Sequence, residues 1–310
     1  MFPKIQFWKL NIFTLIPLFI FKKNNILISR NAISTNLGFS LKKLGLVKTV
    51  VFDARAAEFE QFKEYEIVEN KSFIENFFEI EKKAVISSDL RIVVSNKLIK
   101  LWNNKFNYNE ENHIIIPSTL NSTHLSISKI FSRKKIGFCD NDIIFVYSGS
   151  SSRWQSFTKM FLFVEKFLLK NKKYKFLILS KESEIINEMI KKFPDQIFVK
   201  WLKPNDIIPF LKICDYGLII REESITNQVS SPVKFAEYLY SGLKIIISSN
   251  IGDYSKFVLD NNCGFIDSQC RMNLKKVTNI EKKFNSELAL INFSKNSPFI
   301  EKKYKKLLKI

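Results

Sequence analysis

The sequence is poor in glycine, histidine and closely spaced cysteine, and each shortage excludes a class of protein. Only 8 of 310 residues are glycine, which excludes collagen-like and glycine-rich low-complexity chains. Two histidines, and four cysteines without Cys-x-x-Cys spacing, give no zinc-binding pattern. We therefore expect neither a metal nor a cofactor. The scattered cysteines predict free thiols in a reducing cytoplasm.

Long apolar runs are also missing. The uncharged stretch from Leu10 to Phe21 has 12 residues, whereas a membrane-spanning helix needs about 20. Its aromatic residues lie between lysines, which is compatible with a helix on a bilayer surface. A buried helix of the fold fits the same residues and is slightly favoured.

Basic residues are in excess, 49 against 30 acidic ones, for a net charge of +19. This balance is compatible with an anionic membrane face, with phosphorylated ligands, or with lysines that only cover a solvated surface. Nucleic acid is the least favoured partner, because basic and aromatic residues are not interleaved on one element. The nearest candidate is the tail Lys302–Lys309, which fits better as a terminal amphipathic helix.

Short apolar runs alternate with helical patterns along the whole chain. Most of the runs are apolar throughout, as in parallel strands that helices cover on both faces. This alternation predicts an α/β doubly wound architecture. The predicted strands are Asn25–Ser29, Thr49–Asp53, Arg91–Ser95, His113–Pro117, Ile143–Ser148, Lys175–Ser180, Gln196–Trp201, Tyr216–Arg221 and Lys244–Ser249.

The polar stretch 118–142 predicts a domain boundary, because it lacks a long periodic pattern. We therefore predict a shortened Rossmann-like domain over residues 1–130 and a second Rossmann-like domain over residues 131–290. Residues 291–310 are predicted to form a helix that packs back on the first domain.

The segment from Ser231 to Leu243 predicts a helix that begins beside an anion. Ser231 is a suitable N-cap and Pro232 a suitable first helical residue. Lys234 follows in the first turn, where its charge and the free backbone N–H groups favour a phosphate. Glu237 shares its face, and its carboxylate is able to accept hydrogen bonds from sugar hydroxyls. An ordinary capped helix with a Lys–Glu pair would show the same residues.

A second segment of small residues follows the strand Ile143–Ser148. Gly149 and Ser150 would let the backbone approach phosphates closely, and Arg153 would add a charge-assisted hydrogen bond to a diphosphate. Ligands of open α/β sheets bind at the carboxyl ends of the strands, so we expect both segments to meet there. The loop lacks dinucleotide or P-loop spacing, and a flexible serine-rich loop is the alternative.

Together these segments resemble family 4 glycosyltransferases over roughly residues 143–270. The matching segments are Val146-Tyr-Ser-Gly-Ser150, Arg153-Trp-Gln155, the block from Ser231 to Leu243, Ile251-Gly-Asp253 and Asn262-Cys-Gly264. The resemblance implies an α/β GT-B-like fold with two Rossmann-type domains facing a cleft, the N-terminal one apparently incomplete. It also implies a nucleotide-sugar donor bound by Gly149, Ser150, Arg153, Arg221, Ser231, Pro232, Lys234 and Glu237.

The reaction that the resemblance implies is glycosyl transfer with retention at the anomeric carbon. Arg153, Lys234 and Glu237 would be the catalytic residues. The two cations would hold the donor diphosphate, and Glu237 would hold the ribose hydroxyls.

The first half resembles the family more thinly. Asp53, Arg55 and Glu58 look like the Asp-x-Arg segment of polysaccharide-building members, which implies an acceptor-side role. A strand-end loop with local ion pairs is an equally good interpretation. The resemblance suggests a lipid-linked saccharide acceptor in surface polysaccharide or lipopolysaccharide synthesis. It also suggests a cytoplasmic protein with peripheral contact to the inner membrane face.

One departure from the family supports an alternative function. Many members carry a second glutamate eight residues before the position of Glu237, where this chain has Val229. An inactive or partner-dependent donor-binding subunit is therefore the alternative. A basic nucleic-acid-binding protein is a more distant one. The sequence gives no indication of the oligomeric state.

Overall fold

The computed structural model describes residues 5–20, 24–120, 131–150 and 152–308, and it divides into two compact units. The first unit comprises Met1–Pro117, Ser224–Ser231 and Lys302–Ile310, and the second comprises Ser118–Glu223 and Pro232–Glu301. The division therefore falls at the start of the polar stretch rather than at residue 130. Of the predicted returning helix, 291–310, only the part from Lys302 groups with the first unit.

Helices and strands alternate throughout the described residues. After a 3-10 helix (Ile5–Asn11), the first half contains α1 (Ile12–Ile20), β1 (Asn24–Arg30), α2 (Ala32–Lys43), β2 (Val47–Ala54), α3 (Glu58–Tyr65), α4 (Lys71–Ser87), β3 (Leu90–Val93), α5 (Asn96–Phe106) and β4 (His113–Ile115). The chain continues with α6 (Arg133–Ile136), β5 (Ile143–Ser148), a 3-10 helix (Arg153–Gln155), α7 (Phe157–Lys170), β6 (Tyr174–Leu179), α8 (Glu184–Lys192), β7 (Ile197–Val199), α9 (Pro204–Leu211) and β8 (Tyr216–Ile219). It ends with α10 (Ile225–Gln228), α11 (Val233–Tyr240), β9 (Lys244–Ile247), α12 (Tyr254–Asp260), β10 (Gly264–Ile266), a 3-10 helix (Asp267–Gln269), α13 (Asn279–Phe293) and α14 (Pro298–Leu308).

The sheet of the first unit has four parallel strands among the described residues, in the order β1-β2-β3-β4. Every crossover moves the chain in the same direction, so right-handed connections place the intervening helices on one face. Aromatic residues fill the space between them. Phe52 of β2 stacks on Trp102 of α5 with ring centroids 5.8 Å apart, and Phe77 of α4 is fully buried.

The N-terminal helices pack on this unit by one face only. Ile12, Ile16 and neighbouring residues of α1 contact a small core around Leu41 and Val50. The opposite face of α1 is apolar but exposed, with Phe13 70% and Leu18 64% accessible. No described residue from 5 to 20 is buried, so the expectation of a buried helix is wrong. Because α1 is apolar all round, its sequence did not indicate which side would pack.

The second unit has six parallel strands in its described residues, in the order β10-β9-β8-β5-β6-β7. Numbered within the unit, this is the 3-2-1-4-5-6 order of a Rossmann sheet. Alternate residues of β5 enter two separate cores: Ile144 and Val146 face one, while Phe145 and Tyr147 face the other. Helices therefore cover both faces, as the uninterrupted apolar runs predicted. The strand order reverses between β5 and β8, which creates a crevice at their carboxyl ends.

Candidate functional site

The carboxyl ends of β5 and β8 bring together two distant parts of the second unit. These strands are hydrogen-bonded neighbours, although more than 60 residues separate them in sequence. Gly149 follows β5 directly, and Arg221 follows β8. The site predicted from the sequence therefore lies at the position where open α/β sheets bind their ligands.

Lys234, in the first turn of α11, is the central side chain of this site. It is only 9% exposed, and its Nζ donates a hydrogen bond to Gln155 Oε1 at 3.0 Å. The same Nζ lies 4.0 Å from the centroid of the Tyr147 ring, a distance suited to a cation–π contact. A Cβ atom at Gly149 would approach it to 3.0 Å, and the φ of +145° at this residue also favours glycine.

Arg221 approaches the same amide from the end of β8. It is 5% exposed, and its Nη2 donates to Gln155 Oε1 at 3.0 Å. One neutral oxygen thus accepts hydrogen bonds from two buried cations. Burial, followed by the charge of Arg221, lowers the pKa of Lys234 well below its ordinary value, while Glu237 acts in the opposite direction. An anion bound here would favour the charged form of the lysine.

The start of α11 differs by one residue from the prediction. The helix begins at Val233, and Pro232 occupies the N-cap position with φ −70° and ψ 121°. The N-cap prediction for Ser231 was therefore wrong, because the extended ψ of Pro232 excludes it from the first turn. No side chain caps this start, and no acidic residue lies in the first turn. Such a helix start favours an anionic ligand.

The remaining predicted donor residues lie around this cluster. Arg153 is exposed and begins the 3-10 helix that ends at Gln155, while Glu237 is half-buried one turn along α11 from Lys234. Ser150 lies beside Gly149 at the opening of an adjacent cavity. Their contacts with a donor remain predictions.

That cavity has a volume of about 510 Å³ and extends over the ends of β5, β6 and β7. Its wall contains Trp201 and Lys181, which the sequence analysis missed. Trp201 is 67% exposed, and the Nζ of Lys181 lies 5.2 Å from its ring centroid. Lys181 directly follows the predicted strand Lys175–Ser180, and Trp201 is the last residue of the predicted strand Gln196–Trp201. Their position at a strand's carboxyl end was therefore the available signal.

The predicted acceptor-side residues lie in the first unit, after β2. The buried carboxylate of Asp53 pairs with Arg55 Nε at 2.7 Å and with Arg30 Nε at 3.2 Å. Glu58 accepts the backbone N–H of Ala32 through both oxygens, at 3.0 and 3.2 Å. Burial, together with the neighbouring Glu81, raises the pKa of Glu58 to about 8. The structure thus places Arg55 and Glu58 near one another, and their role stays a prediction.

The part of the chain that the structure describes contains no group of three or more His, Cys, Asp or Glu side chains able to hold a metal ion. None of its helices is long and apolar enough to cross a membrane.

No protein-family model matches the chain, and no curated protein sequence matches it. Solved structures match it closely in shape. Sucrose-phosphate synthase from Thermosynechococcus elongatus is 10% identical with a TM-score of 0.71, over 100% of this chain and 81% of that one. WaaG, a glycosyltransferase of lipopolysaccharide biosynthesis, is 12% identical with a TM-score of 0.61, over 100% and 96%. An Escherichia coli structure described as trehalose-6-phosphate bound with UDP-2-fluoro glucose is 12% identical with a TM-score of 0.66, over 99% and 77%.

The chain has the GT-B fold. Its two units with parallel sheets correspond over nearly their whole length to glycosyltransferases of this architecture. The prediction of an α/β GT-B-like fold is therefore confirmed. Because one fold hosts different reactions, the activity has to be argued from the site itself.

Proposed function

We propose that this protein is a glycosyltransferase that takes its sugar from a nucleotide-sugar donor bound by the second unit. One observation carries the proposal. Lys234 and Arg221, both buried, converge on the amide oxygen of Gln155 at the switch point of a Rossmann-order sheet. Two buried basic side chains that meet at the carboxyl end of a parallel sheet are suited to a ligand that brings its own negative charge.

We infer that the ligand at this site is a diphosphate. Its oxygens would take the place of the Gln155 oxygen between Lys234 and Arg221, and the start of α11 would face the same group. Negative charge grows on the diphosphate as the bond to the sugar breaks. Cations that are already in position stabilise this charge without reorganisation, which is the main contribution we assign to them. Arg153 would add a further charge from the neighbouring turn.

The cavity beside the cluster is suited to the nucleoside. Trp201 offers an exposed ring on which a base could stack. Glu237, one turn along α11 from Lys234, would accept hydrogen bonds from the ribose hydroxyls. The E. coli structure of the same fold is described as holding UDP-2-fluoro glucose. That ligand supports a nucleoside-diphosphate sugar as the donor class.

For the acceptor we propose a lipid-linked saccharide used in surface polysaccharide or lipopolysaccharide synthesis, with retention at the anomeric carbon. WaaG, which shares the fold, is described as acting in lipopolysaccharide biosynthesis. Asp53, Arg55 and Glu58 would lie on the acceptor side. The reaction would take place on the cytoplasmic side of the membrane.

Peripheral membrane contact is part of this proposal, and α1 would provide it. Its outer face exposes Phe13, Leu18 and Ile20, and Lys9 lies one turn before it. An exposed apolar face next to basic residues is suited to an anionic bilayer surface. Phe13→Ser combined with Leu18→Ser should reduce co-sedimentation with phosphatidylglycerol vesicles. Ile280→Ser, which changes a residue that is 83% exposed in the second unit, serves as the control. Equal sedimentation of all three proteins would contradict the membrane contact.

The donor site is tested by calorimetry and thermal shift with UDP, GDP, ADP and CMP, each with and without an attached sugar. We expect one nucleotide to bind saturably and to raise the melting temperature. If none of them binds, the proposed function is wrong.

A second candidate, a donor-binding subunit without its own turnover, is favoured by Val229. This residue is 3% exposed in the apolar core of the first unit, and its carbonyl oxygen accepts a hydrogen bond from Ser95 Oγ at 2.7 Å. A glutamate at this position would be buried among apolar side chains, which is costly for a carboxyl group without a hydrogen-bonding partner. Nucleotide binding without donor hydrolysis or transfer to membrane extracts would support this second candidate.

A further inference from the structure

A cavity of about 510 Å³ lies at the carboxyl ends of β1 and β2, entirely within the first unit. Its volume is in the range of small-ligand sites. Arg30 ends β1, and Arg55 follows β2, so the sheet edge brings both arginines to the same wall. None of the residues of the donor cluster lines it.

The two arginines are held by a single buried carboxylate. Asp53 is 5% exposed, and each of its oxygens pairs with the Nε of one arginine, at 3.2 Å for Arg30 and 2.7 Å for Arg55. Each guanidinium therefore contacts Asp53 through its Nε. Among the described residues, the Nη groups of both arginines make no hydrogen bond and are available to a ligand.

The charge in the cavity is positive. Asp53 compensates one of the two guanidinium charges. Glu58, the other carboxyl group in the wall, has a pKa raised to about 8 by burial and by the neighbouring Glu81. It is therefore largely uncharged at neutral pH and does not compensate the second arginine. Two planar guanidinium groups with free Nη atoms are well suited to a phosphate or carboxylate.

The rest of the wall is suited to a sugar ring. Trp8 and Phe62 present aromatic surface, and Gln61, Asn11 and Ser34 present amides and a hydroxyl. Apolar rings with a few polar groups that fix orientation are typical of small-molecule sites.

We propose that this cavity binds an acceptor saccharide that carries an anionic group, a phosphate or a carboxylate, and that the Nη groups of Arg30 and Arg55 form the anion-binding site. The acceptor role rests on the proposed function, whereas the anion-binding site rests on the geometry of the first unit alone. The acceptor would then be a charged saccharide and not a neutral one.

The test is calorimetric titration with glucose 6-phosphate, glucuronate, glucose and inorganic phosphate, without a nucleotide. At least one anionic sugar should bind about tenfold more tightly than glucose and inorganic phosphate. Arg55→Gln should weaken that binding about tenfold or more. Because this change leaves part of buried Asp53 unpaired, Arg30→Gln is the second variant; Arg30 is 73% exposed, and its loss leaves the Arg55 pair in place. Arg271→Gln, at an exposed position of the second unit, is the matched control.

Three results would overturn the inference: equal binding of glucose and the anionic sugars, equal binding of inorganic phosphate, or no effect of both arginine changes. A lipid headgroup presents the same phosphate, so phosphatidylglycerol vesicles form a separate arm. Arginine-dependent binding to vesicles but not to sugars would also overturn it.

Nucleotide titrations of the same samples separate this proposal from the proposed donor function. Arginine-dependent sugar binding without any nucleotide binding would contradict the donor function and would still support the anion-binding site.

Discussion

Three helix starts of the first unit differ from the start of α11 in the second unit. In these three, glutamates from elsewhere in the chain accept free N–H groups. Glu58 accepts from Ala32 at the start of α2, and Glu81 accepts from the first two residues of α3 at 2.8 and 3.3 Å. Glu64 does the same for α10, at 2.7 and 3.0 Å. The N–H groups of these three starts are thus satisfied by glutamate oxygens of the chain itself.

The start of α11, in the second unit, carries a basic side chain where those helices contact a glutamate. It has no side-chain cap and no acidic residue in its first turn, and it carries the buried Lys234 there. Where a glutamate of the chain accepts the free N–H groups, the helix start is structural. Where the first turn carries a buried lysine and no acidic residue, we propose that a bound ligand supplies the negative charge. The comparison therefore separates structural glutamates from a ligand site.

The largest effect is expected when the positive charge of Lys234 is removed. Lys234→Met should weaken nucleotide binding more than about a hundredfold, because a charged hydrogen bond to phosphate in a buried site contributes roughly 3 kcal/mol. The thermal midpoint of the free protein should stay the same or rise, because burying a basic group beside Arg221 is costly and methionine has a similar shape. Calorimetry and thermal melts measure both. Lys166→Met, at an exposed position of α7, is the control. Unchanged nucleotide affinity would remove Lys234 from the site.

A second test introduces a carboxylate beside Lys234, so that the second unit also supplies a glutamate at this helix start. Gln155→Glu should pair with both Lys234 and Arg221, raise the thermal midpoint, and weaken nucleotide binding about ten- to a hundredfold. Gln155→Leu removes the same oxygen without adding charge and should weaken binding less. Equal losses in the two variants would show that the amide positions the donor and does not stand in for a phosphate oxygen.

The carboxylates of the first unit predict a pH dependence. Burial raises the pKa of Glu81 to about 7, and Glu58 is raised to about 8, both above the ordinary value of 4.5. The folded state therefore holds these protons more tightly than the unfolded state. Their contribution to stability is present at about pH 4.5 and is lost as the pH rises to about 8.

Urea denaturation at pH 5, 6.5 and 8 should show this decline in the free energy of unfolding. The slope of that free energy against pH should be smaller in Glu81→Gln. Glu79→Gln, exposed on the same helix, should keep the slope of the unchanged protein. Identical slopes in all three proteins would contradict the assignment.

The smallest expected effect concerns the cavity wall of the second unit. Trp201→Ala should weaken nucleotide binding about five- to tenfold, since stacking of a base on an exposed ring contributes roughly 1 kcal/mol. The free nucleoside should show the same relative loss, whereas inorganic diphosphate should bind unchanged. A loss that is equal for diphosphate would place the tryptophan beside the phosphates and not beside the base.

Much of the fold followed from the pattern of apolar runs. The strand Ile143–Ser148 was predicted residue for residue, because both of its faces are buried and the whole run is apolar. β10 was missed, since Gly264–Ile266 has three residues and little strand signal of its own. It forms by pairing with β9, so close that a Cβ atom at Gly264 would lie 1.9 Å from the carbonyl oxygen of Ile245.

The sequence by itself predicted the strands other than β10, and it predicted Gly149 and Lys234 as phosphate contacts from their positions after a strand and in the first turn of a helix. Arg221 was predicted only from the family resemblance. Only the tertiary structure decided that Gln155 lies between the two cations and that Trp201 shares the cavity beside them, because these contacts depend on the strand order β8-β5-β6-β7. It also decided which face of α1 packs, since a helix that is apolar all round carries no preference. Local patterns are set by neighbours along the chain, whereas a binding site is set by which strand ends become neighbours in space.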